Sequence, residues 1–243
     1  MKNRSQQPEA RGQGAKTTPE KKPAPLLILI SAPSGAGKTT LCELLLQARP
    51  DMARALTCTT REPRKGEQDG VDYHFLKAED FLRRLQAGNF LEHATVYGNS
   101  YGLLKSELLG KLRSGRDVLL NVDVQGAATI RAAAEEEPEL KRALVTVFLT
   151  TPSLEVLEAR LLNRNADDSA VIKKRLASAR QEVAQWKNFD YLVISTSKAE
   201  DLRRTLAIVE AEKMRVARSH APEMEYVTLE LSAKPGAGQK SGR

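Results

Sequence analysis

The amino-acid sequence predicts an α/β fold, with a mostly parallel five-stranded sheet covered by helices on both faces. Two observations carry this. Five short strand-like runs, Leu26–Ile30, Arg54–Thr59, Asp117–Val122, Leu144–Leu149 and Tyr191–Ser195, alternate with longer stretches of helical spacing, the order in which helical crossovers join parallel strands. The first run also passes into the first helix through a glycine-rich turn, Ser31-Ala32-Pro33-Ser34-Gly35-Ala36-Gly37-Lys38-Thr39-Thr40. Strand, glycine turn and helix in that order predict a three-layer P-loop fold.

Taken in order, residues 1–24 carry six Lys/Arg against two Glu among Gln, Pro, Gly and Thr, the composition of a disordered basic tail. Leu26–Ile30 reads as a buried strand, and Lys38–Arg49 as a helix stopped by Pro50. After the strand Arg54–Thr59, the run Arg61–Gly70 is too dense in Pro, Gly and charge for a core element. A short strand at Val71–Leu76, a helix at Glu79–Ala87 closed by Gly88, and a strand at Phe90–Tyr97 turning at Gly98-Asn99 follow. Residues 57–103 thus form a partly β insertion. Parallel-sheet character then returns, with a helix at Lys105–Arg113, a strand at Asp117–Val122, a helix at Gln125–Glu136 ended by Pro138, and a strand at Leu144–Leu149. A helix from Ser153 to about Arg164 is broken at Asn165–Asp168 and resumes over Ala170–Lys187. Ser197 and Glu200 form a capping box for a last helix reaching about Arg218. The alternating stretch Glu223–Leu231 has no evident place, and residues 216–243 read as a largely disordered extension.

Composition narrows the chemistry. Hydrophobic residues make up 41% of the chain, enough for a core, and the net charge is +7. That balance suits polyphosphate ligands without requiring nucleic acid, and none is expected. Cys42 and Cys58 lack zinc or disulfide spacing, and His74, His93 and His220 are scattered. No apolar run approaches the ~20 residues of a membrane span, and no secretory signal is visible. The expected setting is the cytoplasm.

The glycine-rich turn carries the strongest chemical signal. From Ala32 it reads A-x-x-x-x-G-K-T, the phosphate-loop pattern with Ala at the first glycine position. Gly35 and Gly37 keep side chains away so that backbone N–H groups can converge on phosphate oxygens. Ser34, Gly35, Ala36, Gly37, Lys38, Thr39 and Thr40 are therefore the candidate nucleotide-binding residues, Lys38 reaching the β/γ-phosphates and Thr39 ligating Mg²⁺. A second phosphate-bearing molecule could be held by Arg61 and Arg64 with Tyr73 and Tyr101. Glu92, in the same insertion, could read a base with adjacent N–H donors, as guanine has and adenine lacks. Arg160, Arg164 and Arg175 flank the break near residue 165, where a helical lid could bring positive charge onto a transferring phosphoryl group.

Together, S-A-P-S-G-A-G-K-T-T, T-x-T-T-R-E-P-R-x-G-E-x-x-G-x-D-Y-x-F, F-L-E-H-A, Y-G-N-S-Y-G and N-V-D-V-Q-G resemble the guanylate kinase family over roughly residues 25–215. The resemblance implies phosphoryl transfer from ATP to GMP with Mg²⁺, dGMP being a further candidate acceptor, in a monomer or homodimer. It implies a core (25–56, 104–159, 186–215), a GMP-binding insertion (57–103) and a lid (160–185). It places Lys38 and Thr39 at the ATP phosphates and Mg²⁺, and Arg61, Arg64, Tyr73 and Tyr101 on the GMP phosphate. Thr57, Glu92 and Asp123 would face guanine, with Lys38, Arg61, Arg164 and Arg175 catalytic. The alternative is a catalytically weak guanylate kinase-like binding module. The sequence departs from the family pattern at four places. Asn121 stands for Asp, which removes a charge near the metal. Leu103 stands for Ser/Thr near the base. Asn163-Arg164-Asn165 replaces Gly-Arg-Gly, and Ser195 replaces Asn near the adenine pocket.

Overall fold

A computed structural model describes residues 23–96, 98–162 and 169–219, and the unit they belong to spans Pro23–Ser219. Its centre is β1 (Leu27–Ser31), every residue of which is buried. β1 lies between β7 (Val118–Asn121) and β8 (Leu144–Thr150), with β2 (Ala53–Arg54) beyond β7 and β9 (Tyr191–Ile194) beyond β8. All four pairings are parallel, with Ile30 opposite Asn121 and Val147.

A strand buried on both faces needs apolar residues at consecutive positions, and Leu27-Ile28-Leu29-Ile30 supplies them. Ile28 and Ile30 pack with Leu41 and Leu45 of α1 (Lys38–Ala48), Leu157 and Leu161 of α6 (Leu154–Leu162), Ala179 of α7 (Ser169–Val183) and Val209 of α8 (Lys198–Lys213). Leu27 and Leu29 face the other way, onto Leu108 and Leu112 of α3 (Lys105–Arg113), Ile130 of α4 (Val124–Glu136) and Leu140 of α5 (Pro138–Ala143). These are the three expected layers. Asp117, 3% exposed, pins the lower end of the sheet. It accepts the Leu26 N–H at 3.0 Å, Arg49 at 3.3 Å and Lys213 at 2.7 Å, so the single carboxylate ties β1 to the ends of α1 and α8.

A second sheet of order β4-β3-β6-β5 comprises β4 (His74–Phe75), β3 (Cys58–Thr59), β6 (Asn99–Leu104) and β5 (Phe90–Val96). It is antiparallel except for β3 with β4. Its register slips between Phe90 and Glu92. This irregularity lets both Phe90 and Leu91 be buried, in different places. Phe90 stacks on Phe81 of α2 (Ala78–Gln86) at 4.5 Å, whereas Leu91 joins the core beneath α3 and α4.

Several sequence expectations need correction. The single strand over Arg54–Thr59 is two strands in two sheets, because the Leu56 N–H leaves the ladder and donates to the Glu107 side chain at 3.0 Å. The helix before Pro138 ends at Glu136 as expected, but the short helix α5 after it is absent from the sequence expectation. Pro138 opens α5, where a missing N–H costs nothing and the fixed φ suits the first turn. The strand at Val71–Leu76 contracts to His74–Phe75. Helix α7 ends at Val183 and tightens into a 3₁₀ turn over Ala184–Asn188. Helix α8 ends at Lys213, after which Arg218 folds back to donate to the carbonyls of Arg142 and Leu144. Residues 1–22, Glu223–Leu231 and the break at Asn165–Asp168 lie outside the described residues.

Candidate active site

In parallel α/β sheets, ligands bind beyond the carboxyl ends of the strands, where neighbouring crossovers diverge. Here that point lies above β1, between β7 and β8. The phosphate loop occupies it. The Pro33 carbonyl accepts the Ala36 N–H at 3.1 Å, and Gly35 and Gly37 have φ of +89° and +103°. Gly37 stands at the N-cap of α1 with no side-chain cap, and the first turn holds no acidic residue. The first helical bond is Leu41 N–H to Gly37 at 3.0 Å. The N–H groups of Lys38, Thr39 and Thr40 therefore have no acceptor within the helix, at the positive end of its dipole.

Lys38 donates through Nζ to the Val122 carbonyl at 2.6 Å. Burial pulls its pKa down, opposed by the negative groups nearby, Asp123 and Glu182 among them. The Ser34 N–H donates to Glu182 Oε2 at 3.3 Å. Burial, with Asp123 adding to it, holds the Glu182 carboxyl above the usual carboxylate range.

Beside the loop is a cavity of about 490 Å³, lined by Gly35, Thr40, Leu44, Arg160, Ser195 and Asp201 among others. Arg160 donates to the Ala36 carbonyl and to Ser195 Oγ, both at 3.2 Å. Ser195 in turn donates to Asp201 at 2.7 Å, and the Thr196 N–H fills the other Asp201 oxygen at 3.1 Å. Arg160 is thus fixed across the mouth of the loop, and its hydrogen bonds end in a buried carboxylate.

The residues expected to form a second anion site lie on and beside the small sheet. The Arg61 guanidinium sits 5.5 Å from the Tyr73 ring centroid, and Tyr73 meets Tyr101 edge-on at 6.4 Å. Three of the four expected phosphate ligands are therefore together. Arg61 forks onto both oxygens of Glu67 at 3.0 Å, and the Arg64 N–H donates to the same carboxylate at 2.7 Å. These contacts, the Arg64 amide first, hold the Glu67 carboxyl below its usual range. The Arg64 side chain is exposed.

The expected base-reading groups are spread over three elements. Asp123 is the N-cap of α4, its Oδ1 accepting the Gly126 N–H at 2.8 Å. Glu92 on β5 is pushed above the ordinary carboxylate range by burial and then by the Asp123 charge. Thr57 lies in the connection from β2 to β3, and its carbonyl accepts the His74 N–H at 3.0 Å. Asn121 ends β7 and is exposed, as is Thr39. Leu103 is fully enclosed in the core with Leu91, Leu108 and Leu109. Arg164 lies outside the described residues; Arg175 is within α7, but its side chain is outside them.

Glu182, Glu67 and Asp201 belong to the site and are absent from the sequence expectation. A signal existed for the first. Glu182 follows Arg175 by seven residues, the spacing at which a helical sequence pattern returns to the same face. Asp201 bonds Ser195, six residues earlier and just past the end of β9, but the Arg160 that this pair supports lies on α6, 35 residues before Ser195, and no sequence pattern joins the three.

Residues 24–212 match the profile of the guanylate kinase family. A guanylate kinase of Coxiella burnetii is 43% identical over 188 residues, covering 77% of this chain and 88% of that protein. One from Maricaulis maris is 39% identical over 193 residues, covering 79% and 86%. The crystal structure of guanylate kinase from Anaplasma phagocytophilum superposes with a TM-score of 0.61 at 30% identity, covering 82% of this chain and 91% of that one.

Proposed function

The chain belongs to the guanylate kinase family, and on that footing we propose that it transfers the terminal phosphoryl group of ATP to GMP, giving ADP and GDP. The observation that carries the reading is that one carboxylate, Asp123, connects the phosphate loop to the small sheet. The Asp123 charge is felt both by Lys38 of the phosphate loop and by Glu92, and Glu92 shares the small sheet with Tyr101, which meets Tyr73 and through it Arg61. A carboxylate accepts the paired N–H donors at N1 and the 2-amino group of guanine, which adenine does not offer.

The chemistry asks for alignment and charge neutralisation more than for a base, because the acceptor phosphate is already a nucleophile. The amides of residues 34–40 and Lys38 would hold the donor phosphates. Arg61 and Arg64, with the two tyrosine hydroxyls, would fix the acceptor phosphate in line. Thr57 would add a contact to the base. Arg160 is already placed against the loop carbonyl, and Arg164 and Arg175 would add positive charge from the segment beyond it. The 490 Å³ cavity along α1 would receive the donor nucleoside.

The site also fits Mg²⁺. The Thr39 hydroxyl and the Asn121 carboxamide offer hard oxygen donors of the kind this ion prefers. The Ser31 hydroxyl, at the end of β1, is buried with no hydrogen-bond partner, as expected where an ion's water shell completes the bonding. When bound, the ion would neutralise phosphate charge. Within the described residues no helix is long and apolar enough to cross a membrane.

An ADP-release assay with Mg-ATP and each of GMP, AMP, CMP and UMP tests the reading, run on the natural chain and on Asn121→Asp. Turnover confined to GMP is expected, and Asn121→Asp should turn over faster if the lost charge limits metal binding. GMP binding without turnover of any monophosphate would refute the kinase and leave a binding module.

A further inference from the structure

The donor-phosphate cradle is already engaged by the protein itself. A loop amide of the kind that binds phosphate, Ser34 N–H, points at the Glu182 carboxylate at 3.3 Å. The loop cation, Lys38, is drawn to the Val122 carbonyl at 2.6 Å and also feels Glu182. Glu182 is half-buried, against the loop on one side and within reach of the Asp123 charge on another. The Ser34 amide and the Lys38 charge offset burial and the Asp123 repulsion only in part, and the Glu182 carboxyl stays above its ordinary range. It becomes untenable once several phosphate charges arrive at the same place.

We propose that Glu182 is a displaceable anionic latch: in the nucleotide-free protein it occupies the Ser34 amide, and the donor phosphate evicts it. The contact competes with the ligand because only one anion can take that N–H. Every molecule in the latched state must open before it binds, so the apparent affinity falls by the fraction that is open. Glu182 is carried by α7, two turns beyond Arg175, and Ala179 anchors the same helix in the core with no exposed surface. Occupation of the loop is therefore reported directly to the helix that bears Arg175. The latch rests on the reading of this loop as the donor-phosphate site.

The test is calorimetric and needs no turnover. Inorganic pyrophosphate and ADP are titrated, without metal, into the full-length chain and into Glu182→Gln and Glu182→Ala. Gln keeps the volume and an acceptor oxygen but removes the charge, and Ala removes both. The latch predicts pyrophosphate binding tighter by about threefold or more in Gln, and tighter again or equal in Ala, from the relief of a competing state. Glu135→Gln, an exposed change of the same net charge on α4, should leave the affinity unmoved. Thermal unfolding of each variant confirms that it is folded. A gain of less than about threefold in Gln, or weaker binding in the variants, overturns the latch; weaker binding would mean that Glu182 supports the loop instead. Failure of the natural chain to bind either probe removes the donor-site reading and the latch with it. Binding by the natural chain with no gain in the variants removes the latch alone.

Discussion

Replacing Gly35 and Gly37 separately with alanine should divide one loop into a packing half and a binding half. Both residues have positive φ, +89° and +103°, so either alanine incurs the left-handed cost of about 1–2 kcal/mol. Their surroundings differ. A Cβ on Gly35 would lie 2.9 Å from Leu161 Cδ2 and 3.0 Å from its Cγ, whereas one on Gly37 meets nothing within 4 Å. Leu161 is 3% exposed in the core, so it has little room to retreat. Overpacking of this kind costs roughly 1–3 kcal/mol. Gly35→Ala should therefore lose about 2–5 kcal/mol of stability, and Gly37→Ala only about 1–2. The open space above Gly37 is where phosphate is proposed to sit, so Gly37→Ala should lose nucleotide affinity out of proportion to its stability. Urea unfolding gives the first quantity, through midpoints at constant slope, and ADP calorimetry the second. Equal stability losses in the two variants would refute the contact between the loop and α6. Unchanged ADP affinity in Gly37→Ala would refute the placement of phosphate.

Arg61→Ala removes the guanidinium between Glu67 and the tyrosines, and should both raise the KM for GMP and lower kcat. An unchanged kcat/KM in a steady-state assay would exclude Arg61 from the acceptor site. Burial and Asp123 hold the Glu92 carboxyl above its ordinary range, and guanine N–H donors bind only its ionised form. As pH falls through that raised pKa, GMP affinity should drop, and Glu92→Gln should lose this component while keeping the phosphate titration common to both proteins. Parallel pH profiles of GMP binding in the two would show that Glu92 does not read the base.

The phosphate loop was legible because all its determinants are local: an apolar strand, glycines where φ is positive, and a lysine at the first turn. The same holds for the Ser197 cap, whose hydroxyl accepts the Glu200 N–H at 3.2 Å. What sequence could not give is pairing over distance. Nothing inside Arg54–Thr59 states that Ala53–Arg54 pairs with β7 and Cys58–Thr59 with β4 and β6. The division depends on Glu107, roughly fifty residues away, capturing the Leu56 N–H. Leu103 shows the same limit from another side. Read as a lost hydroxyl near the base, it lies in the structure as a core residue with no exposed surface. Pro138 gave only half its meaning: it marked the end of α4 correctly, but proline can also open a helix, and the short α5 that it starts went unread.

The small sheet enters the chain through β3 and leaves through β6, and these two strands are direct neighbours, with Cys58 opposite Gly102. Entry and exit therefore lie side by side, and α3 receives the chain as it returns, its Glu107 holding the incoming Leu56 amide. A segment whose ends already touch can be exchanged without changing the register of any parallel strand, much as one tool head replaces another on a fixed handle. On the proposed function, Arg61, Arg64, Tyr73, Glu92 and Tyr101 would travel together in such an exchange, while Thr57, Asp123 and the phosphate loop would stay with the larger sheet.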